Sequence, residues 1–125
     1  QAEWAAEVLG LKVPGHVRAG SLDTLQRRKL LMACLLMRRP KVLLLDEPAS
    51  GLLAAELDEL DQVLRILVRE MKIALLLVEH RLELLAAIAD QVLVLDVGQC
   101  IATGTPEDVF GDSKVQAAYF ESATA

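Results

Sequence analysis

The chain has 125 residues, with 13 Lys and Arg against 18 Asp and Glu, for a net charge of −5. Hydrophobic residues make up 54% and aromatic residues 3%, too apolar for a disordered chain, so the core falls to Leu, Val, Ile and Ala. The acidic balance argues against a nucleic-acid binder that relies on general electrostatics. The longest unbroken apolar run, Leu30–Met37, is far short of the ~20 residues that span a bilayer as a helix. Two cysteines make no disulfide framework: Cys34 falls in an apolar helix pattern and Cys100 in a strand pattern, and both read as reduced core residues of a cytosolic protein. No signal peptide opens the sequence. It also lacks an initiator Met, and the chain is expected to belong to something longer.

In chain order, residues 3–10 predict a short helix stopped by Gly10, and residues 11–21, with Pro14, Gly15 and Gly20, a loop. Residues 22–37 predict a helix whose second half is apolar all round and therefore buried; Arg38 and Arg39 suit its C-terminus and Pro40 stops it. Val42–Leu45 is a continuous aliphatic run bounded by charge and Pro, the pattern of a parallel strand buried on both faces. Leu57, Leu60, Leu64, Leu67 and Met71 recur at spacings of three and four, which predicts an amphipathic helix over 54–71. Residues 73–78 form a second buried strand and 80–89 a helix. Two strands follow around a tight Val97-Gly98 turn. Thr105 as N-cap, Pro106 at the first position and acids in the first turn open another helix, and a last one covers about 113–122. This alternation predicts an α/β fold with a mostly parallel sheet of buried strands flanked by helices, closed by a C-terminal β-hairpin.

Ligands in such folds sit beyond the carboxyl ends of the strands, which points to Asp46-Glu47 and to Glu79-His80. Strand alternation sends the two adjacent carboxylates in different directions. Asp46 suits a magnesium ion bound through one carboxylate and several waters. Glu47 suits a general base or water-positioning group in phosphoryl transfer. His80 can donate a hydrogen bond to a phosphate. The bland alternatives are a solvated acidic turn and an inconsequential helix-terminal His; Pro48-Ala49-Ser50-Gly51-Leu52 after the carboxylates, with a His at the matching end of the second strand, shifts the balance to function. His16 has no identifiable partner. Gly15–Ser21 imitates a phosphate loop but lacks the Lys and the preceding strand that the motif requires. Arg27-Arg28-Lys29 reads as a solvated face.

Together these residues resemble the C-terminal half of the ATPase subunit of an ATP-binding cassette (ABC) transporter, a partial P-loop NTPase fold. KVLLLDEP is similar to the Walker B strand, which implies Asp46 as the magnesium-side acid and Glu47 as the catalytic carboxylate. Ser50, Gly51 and Leu52 match the D-loop, followed by Leu53 where many members carry Asp. LLLVEH matches the switch strand, with His80 as the switch histidine, and VLVLDVGQCIATGTPEDVF the closing hairpin and helix. Leu22, Asp23, Thr24, Leu25 and Gln26 occupy the signature position, keeping Leu and Gln but replacing Ser-Gly-Gly. AGSL before the signature, the VEH switch and the tail GDSKVQAAYF are most similar to the branched-chain amino acid importer group.

The resemblance divides the chain into the end of a helical subdomain with the signature helix (1–40), a core from Walker B to the hairpin (41–105) and C-terminal helices (106–125). It implies ATP and magnesium as cofactors, both needing a phosphate-loop half not found in these residues. It also implies a second ATPase subunit, expected to form a heterodimer, transmembrane permease subunits, and a position on the inner face of the cell membrane. Asp23 is expected to oppose a phosphate on the partner, and Leu25 to crowd its approach. The chain alone is expected to be inactive and to leave an apolar face and a sheet edge uncovered. A regulatory subunit that does not hydrolyse ATP, or a stand-alone interaction module, are the alternatives. DNA-repair ATPases of the same type fit poorly with the acidic balance.

Overall fold

The computed structural model describes residues 1–121, the last two by backbone alone. It divides into two compact units, Gln1–His80 and the chain from Arg81 onward.

In the first unit, α1 (Ala2–Val8) packs against α2 (Thr24–Leu36). The chain leaves α1 through Gly10, at φ 61. Ala5, Leu9, Met32, Ala33 and Leu36, on these helices or just beyond them, are all buried. The second half of α2 is less enclosed than its composition predicts: Leu31, Cys34 and Met37 are exposed. An all-apolar run has no polar face to mark which side meets water, so the packing partners decide.

After the turn at Arg38–Lys41, β1 (Val42–Asp46) pairs in parallel with β2 (Ala74–Val78), Val42 opposite Ala74 and Asp46 opposite Val78. The crossover is α3 (Ala54–Arg65), continued by a wide π-helical turn at Ile66–Glu70. Leu57, Leu60, Leu64 and Leu67 are buried as their spacing predicts, joined by Val63. The strands differ from expectation on one face. Leu43 and Leu45 are buried, but Leu44 is 69% and Leu76 58% exposed, with Val42 and Val78 exposed beside them. A continuous aliphatic run carries no alternation to distinguish one covered face from two.

The second unit holds α4 (Leu82–Ile88), the antiparallel strands β3 (Val92–Asp96) and β4 (Gln99–Gly104), α5 (Pro106–Phe110) and α6 (Ser113–Gln116). Val97 at φ 45 and Gly98 at φ 77 place both turn residues in the left-handed region, the geometry that matches strand twist in a two-residue hairpin. Val92, Val94, Val109 and Val115 form the core, with Ile101, Phe110 and Tyr119 packed on it. Thr105 caps α5, its hydroxyl accepting from the Asp108 amide at 3.3 Å, and Pro106 takes the first position. The helix expected over 113–122 runs through α6 and a further turn at Ala117–Glu121; residue 122 lies outside the described residues. Cys100 is exposed, like Cys34: neither is a core residue, because each lies on the outward side of its element. The described strands thus form one parallel and one antiparallel pair in separate sheets, and the order of elements is α/β throughout.

Candidate functional site

Asp46, Glu47, the 48–52 turn and His80 meet at the carboxyl ends of β1 and β2. Parallel pairing in register, Asp46 opposite Val78, makes the two strands finish at the same level, so that residues 46–47 and 79–80 come together. Glu47 then reverses the chain. Its φ is 47, a left-handed conformation that costs a non-glycine residue ~1 kcal/mol or more. Two hydrogen bonds hold it there: the Glu47 amide donates to the Val78 carbonyl at 2.8 Å, and the Ser50 amide to the Glu47 carbonyl at 3.1 Å. Gly51, at φ 77, lets the turn re-enter α3, and the Leu52 amide closes it on the Ala49 carbonyl at 3.2 Å.

This turn aims the Glu47 carboxylate at the imidazole. Oε1 stands 3.5 Å from His80 Nδ1, with the side chains 50% and 58% exposed respectively. The separation is longer than a formed hydrogen bond, and a contact this open contributes little to stability. The pair is poised rather than locked. Asp46 lies next to it with an exposed carboxylate at the strand end. Among the described residues no three His, Cys, Asp or Glu side chains cluster as a metal cage. An exposed carboxylate at a strand end suits an ion completed by water or phosphate oxygens, as magnesium is.

Glu79 is the residue whose role the sequence did not disclose. Its Oε1 accepts from the Ala49 amide at 2.8 Å and its Oε2 from the His80 amide at 3.2 Å. Ala49 is fully buried, so this carboxylate satisfies a donor that would otherwise lack water. One side chain thereby fixes the 48–52 turn and the backbone of His80 together. The only sequence signal was its place before His80 at a strand end.

The 22–26 segment is built separately, around the start of α2. The Asp23 carboxylate accepts from the Gln26 amide at 2.8 Å, and Gln26 Oε1 accepts from the Asp23 amide at 3.1 Å. This reciprocal capping box satisfies two donors of the helix end. Leu22 and Leu25 turn into the core and are buried. Leu25, expected to crowd a partner's approach, has its side chain buried on the apolar side of α2. Leu53, at the N-cap of α3, brings no side-chain acceptor and is exposed. Its amide donates to Glu56 Oε2 at 2.7 Å.

Of the basic triplet, Arg27 is exposed as expected, Arg28 is half-buried and Lys29 is buried. Lys29 is 3% exposed, paired with Glu59 and within 3.4 Å of the Gly10 carbonyl, and Arg27 Nε donates to the Leu22 carbonyl at 2.9 Å. Lys29 thus ties α2 to α3 and to the end of α1, a role that only three-dimensional neighbours can assign. Residues 15–21 hold a single 3₁₀ turn, Ala19–Ser21, with the Ser21 hydroxyl donating to the Arg18 carbonyl at 2.8 Å, and not the strand–loop–helix frame of a phosphate loop.

Its sequence relatives and structural neighbours make this chain part of an ABC ATPase domain. The chain is 38% identical over 122 residues to BraF of Pseudomonas aeruginosa, a high-affinity branched-chain amino acid transport ATP-binding protein, with 98% of this chain and 48% of BraF covered. It is 34% identical over the same length to LivG of Escherichia coli, described in the same words, again covering 98% and 48%. The chain thus spans about half the length of these relatives. Its fold superposes on MJ1267, an ATP-binding cassette of an ABC transporter, in its ADP conformation, at a TM-score of 0.85 and 28% identity, covering 95% of this chain and 48% of that one. The corresponding values for cbiO1 of Clostridium perfringens, part of the ABC transporter complex cbiONQ, are 0.81 and 25%, covering 98% and 51%. No family profile matches the chain. Within the ABC ATPases, then, this chain is similar to ATP-binding proteins of branched-chain amino acid transport.

Proposed function

We propose that this chain is the signature-to-C-terminus part of an ATP-binding and ATP-hydrolysing subunit of an ABC transporter, working in branched-chain amino acid import. The phosphate loop and Q-loop would lie in the half of the relatives that the chain does not span, and the chain alone is inactive. The observation that carries the reading is Glu47, held in a left-handed conformation with its carboxylate 3.5 Å from His80 and Asp46 beside it. Strain at a polar strand end is the kind that functional sites retain.

In this reading Asp46 holds magnesium, which supplies charge neutralisation on the phosphates when bound. Glu47 orients and deprotonates the attacking water. His80 donates a hydrogen bond to the phosphate that is transferred, and Glu79 holds its backbone. Ser50, Gly51 and Leu52 form the D-loop, and Leu22–Gln26 the signature that faces a second ATPase subunit in a heterodimer. Permease subunits in the membrane receive the motion, which places the assembly on the inner face of the cell membrane. No helix among the described residues is long and apolar enough to cross it.

One observation favours a second reading, a regulatory subunit that binds without hydrolysing. The start of α2 is already capped by the Asp23 carboxylate, a negative charge where a partner's phosphate would approach. The test is Glu47→Gln in the intact parent with its partners. The amide keeps size but loses the basic oxygen, so hydrolysis should fall at least ~100-fold while nucleotide binding persists. Undiminished hydrolysis removes Glu47 from catalysis. A parent already without hydrolysis selects the regulatory reading.

A further inference from the structure

Among the described residues Lys29 is the one polar or charged side chain that is buried, and it takes no part in the cluster of Asp46, Glu47 and His80. Its ammonium meets two segments besides its own helix. Nζ pairs with Glu59 Oε1 on α3 and donates to the Gly10 carbonyl, just past α1, at 3.4 Å. Near it in sequence, Leu25, Met32 and Ala33 on α2 are buried, as are Leu57 and Leu60 beside Glu59 on α3. Apolar residues in place of a buried ion pair are often as stable or more so. Fold stability alone therefore does not call for a charge at position 29. What the pair adds over an apolar contact is a fixed register, because hydrophobic burial is non-directional and an ammonium bonded to a carboxylate is not.

That register lies between two segments of the candidate site. Lys29 is about 4.5 Å along α2 from Gln26, and Glu59 about 9 Å along α3 from Leu53, at the helical rise per residue. Each helix start is closed by its own bonds. The Asp23–Gln26 box and the Arg27 bond to the Leu22 carbonyl at 2.9 Å fix 22–26 to α2. The Leu53 amide on Glu56, and the Leu52 amide on the Ala49 carbonyl, fix the 49–53 turn to α3. Glu79 then joins that turn to His80. Lys29 and Glu59 complete a continuous series of bonded groups from 22–26 to the catalytic end of the strands.

We propose that Lys29 is a positioning residue: through Glu59 it sets where the 22–26 segment stands relative to the turn that follows Glu47, so that engagement of 22–26 by a second ATPase subunit bears on the geometry of Glu47 and His80. This rests on the reading of Glu47 as the catalytic carboxylate. A misplacement of about 1 Å at a distance from the chemistry can cost ~100-fold in rate, so a link of this kind acts on turnover more than on nucleotide affinity.

Two variants test it. Lys29→Met with Glu59→Gln removes both charges and keeps both side-chain lengths, whereas Lys29→Arg keeps the charge. In the 125-residue chain, the NMR resonances of the 49–53 amides and of the His80 imidazole report the geometry without nucleotide. In the intact parent with its partners, ATP hydrolysis reports its consequence. The charge-free variant should melt at the same or a higher temperature and shift those resonances. Its kcat in the parent should fall about tenfold or more with KM for ATP within about twofold, and Lys29→Arg should recover most of the loss. If the charge-free variant does not fold, Glu59→Gln alone tests the same link by the same readouts. The proposal is overturned if the 49–53 and His80 resonances stay in place in the folded variant, if kcat per folded molecule is unchanged, or if Lys29→Arg recovers nothing. A parent that hydrolyses no ATP with Lys29 in place removes the catalytic reading of Glu47 instead, and the resonances then decide the role of Lys29 by themselves.

Discussion

The two strand pairs of this protein are built on opposite principles. β3 and β4 are joined by two residues, and their pairing is specified locally by Val97-Gly98. β1 and β2 are joined by a crossover of 27 residues, 47–73, and their register depends on α3 and its apolar stripe. Local pairing produces a hairpin whose turn is a mere connection, with Val97 97% exposed. Non-local pairing brings two strand ends to one level, and Asp46, Glu47, Glu79 and His80 lie there. Chemistry that needs groups from distant sequence positions is served by the pairing that costs more loop entropy.

The strongest way to break this contrast is in the crossover. Leu64 is fully buried on α3, and Leu64→Ala should cost about 2–5 kcal/mol. Amide exchange in β1 and β2 should accelerate much more than in β3 and β4. Equal acceleration in both pairs would show that the crossover is not what supports the parallel register.

A smaller effect is expected at Glu79. Glu79→Ala removes the acceptor of the buried Ala49 amide and one acceptor for His80, costing about 1–3 kcal/mol. The loss should appear as faster exchange at Ala49 and a displaced His80 imidazole resonance, with α3 unchanged. If the Ala49 amide stays protected in that variant, Glu79 does not hold the turn.

The smallest change sharpens the local side. Val97→Asn places a residue tolerant of the left-handed region beside Gly98, the preferred pair for this turn, and should stabilise the second unit by about 1 kcal/mol. Thermal unfolding read at the hairpin would reveal it; a lower midpoint would mean that Val97 makes contacts worth more than its backbone strain.

Much of the fold was legible because it is periodic or locally punctuated. The three-and-four spacing of α3, the aliphatic runs of β1 and β2, the Val97-Gly98 turn and the Thr105-Pro106 helix start all encode their structure within a few residues. The candidate site was legible for a related reason: Asp46, Glu47 and His80 stand at the ends of continuous aliphatic runs. Burial was less legible where composition was uniform. The all-apolar half of α2 and the strands of the parallel pair offered no polar residue to mark an exposed side, and Leu31, Leu44, Leu76, Cys34 and Cys100 proved exposed.

The sequence by itself determined the order and type of the elements, the hairpin turn, and the adjacency of carboxylates and histidine to strand ends, because each rests on contacts between near neighbours in the chain. Tertiary structure alone decided that Lys29 is buried against Glu59, that Glu79 joins Ala49 to His80, and that Glu47 turns left-handed towards the imidazole. Each of these joins residues far apart in sequence, and their meeting depends on how helices and strands pack, which no local pattern records.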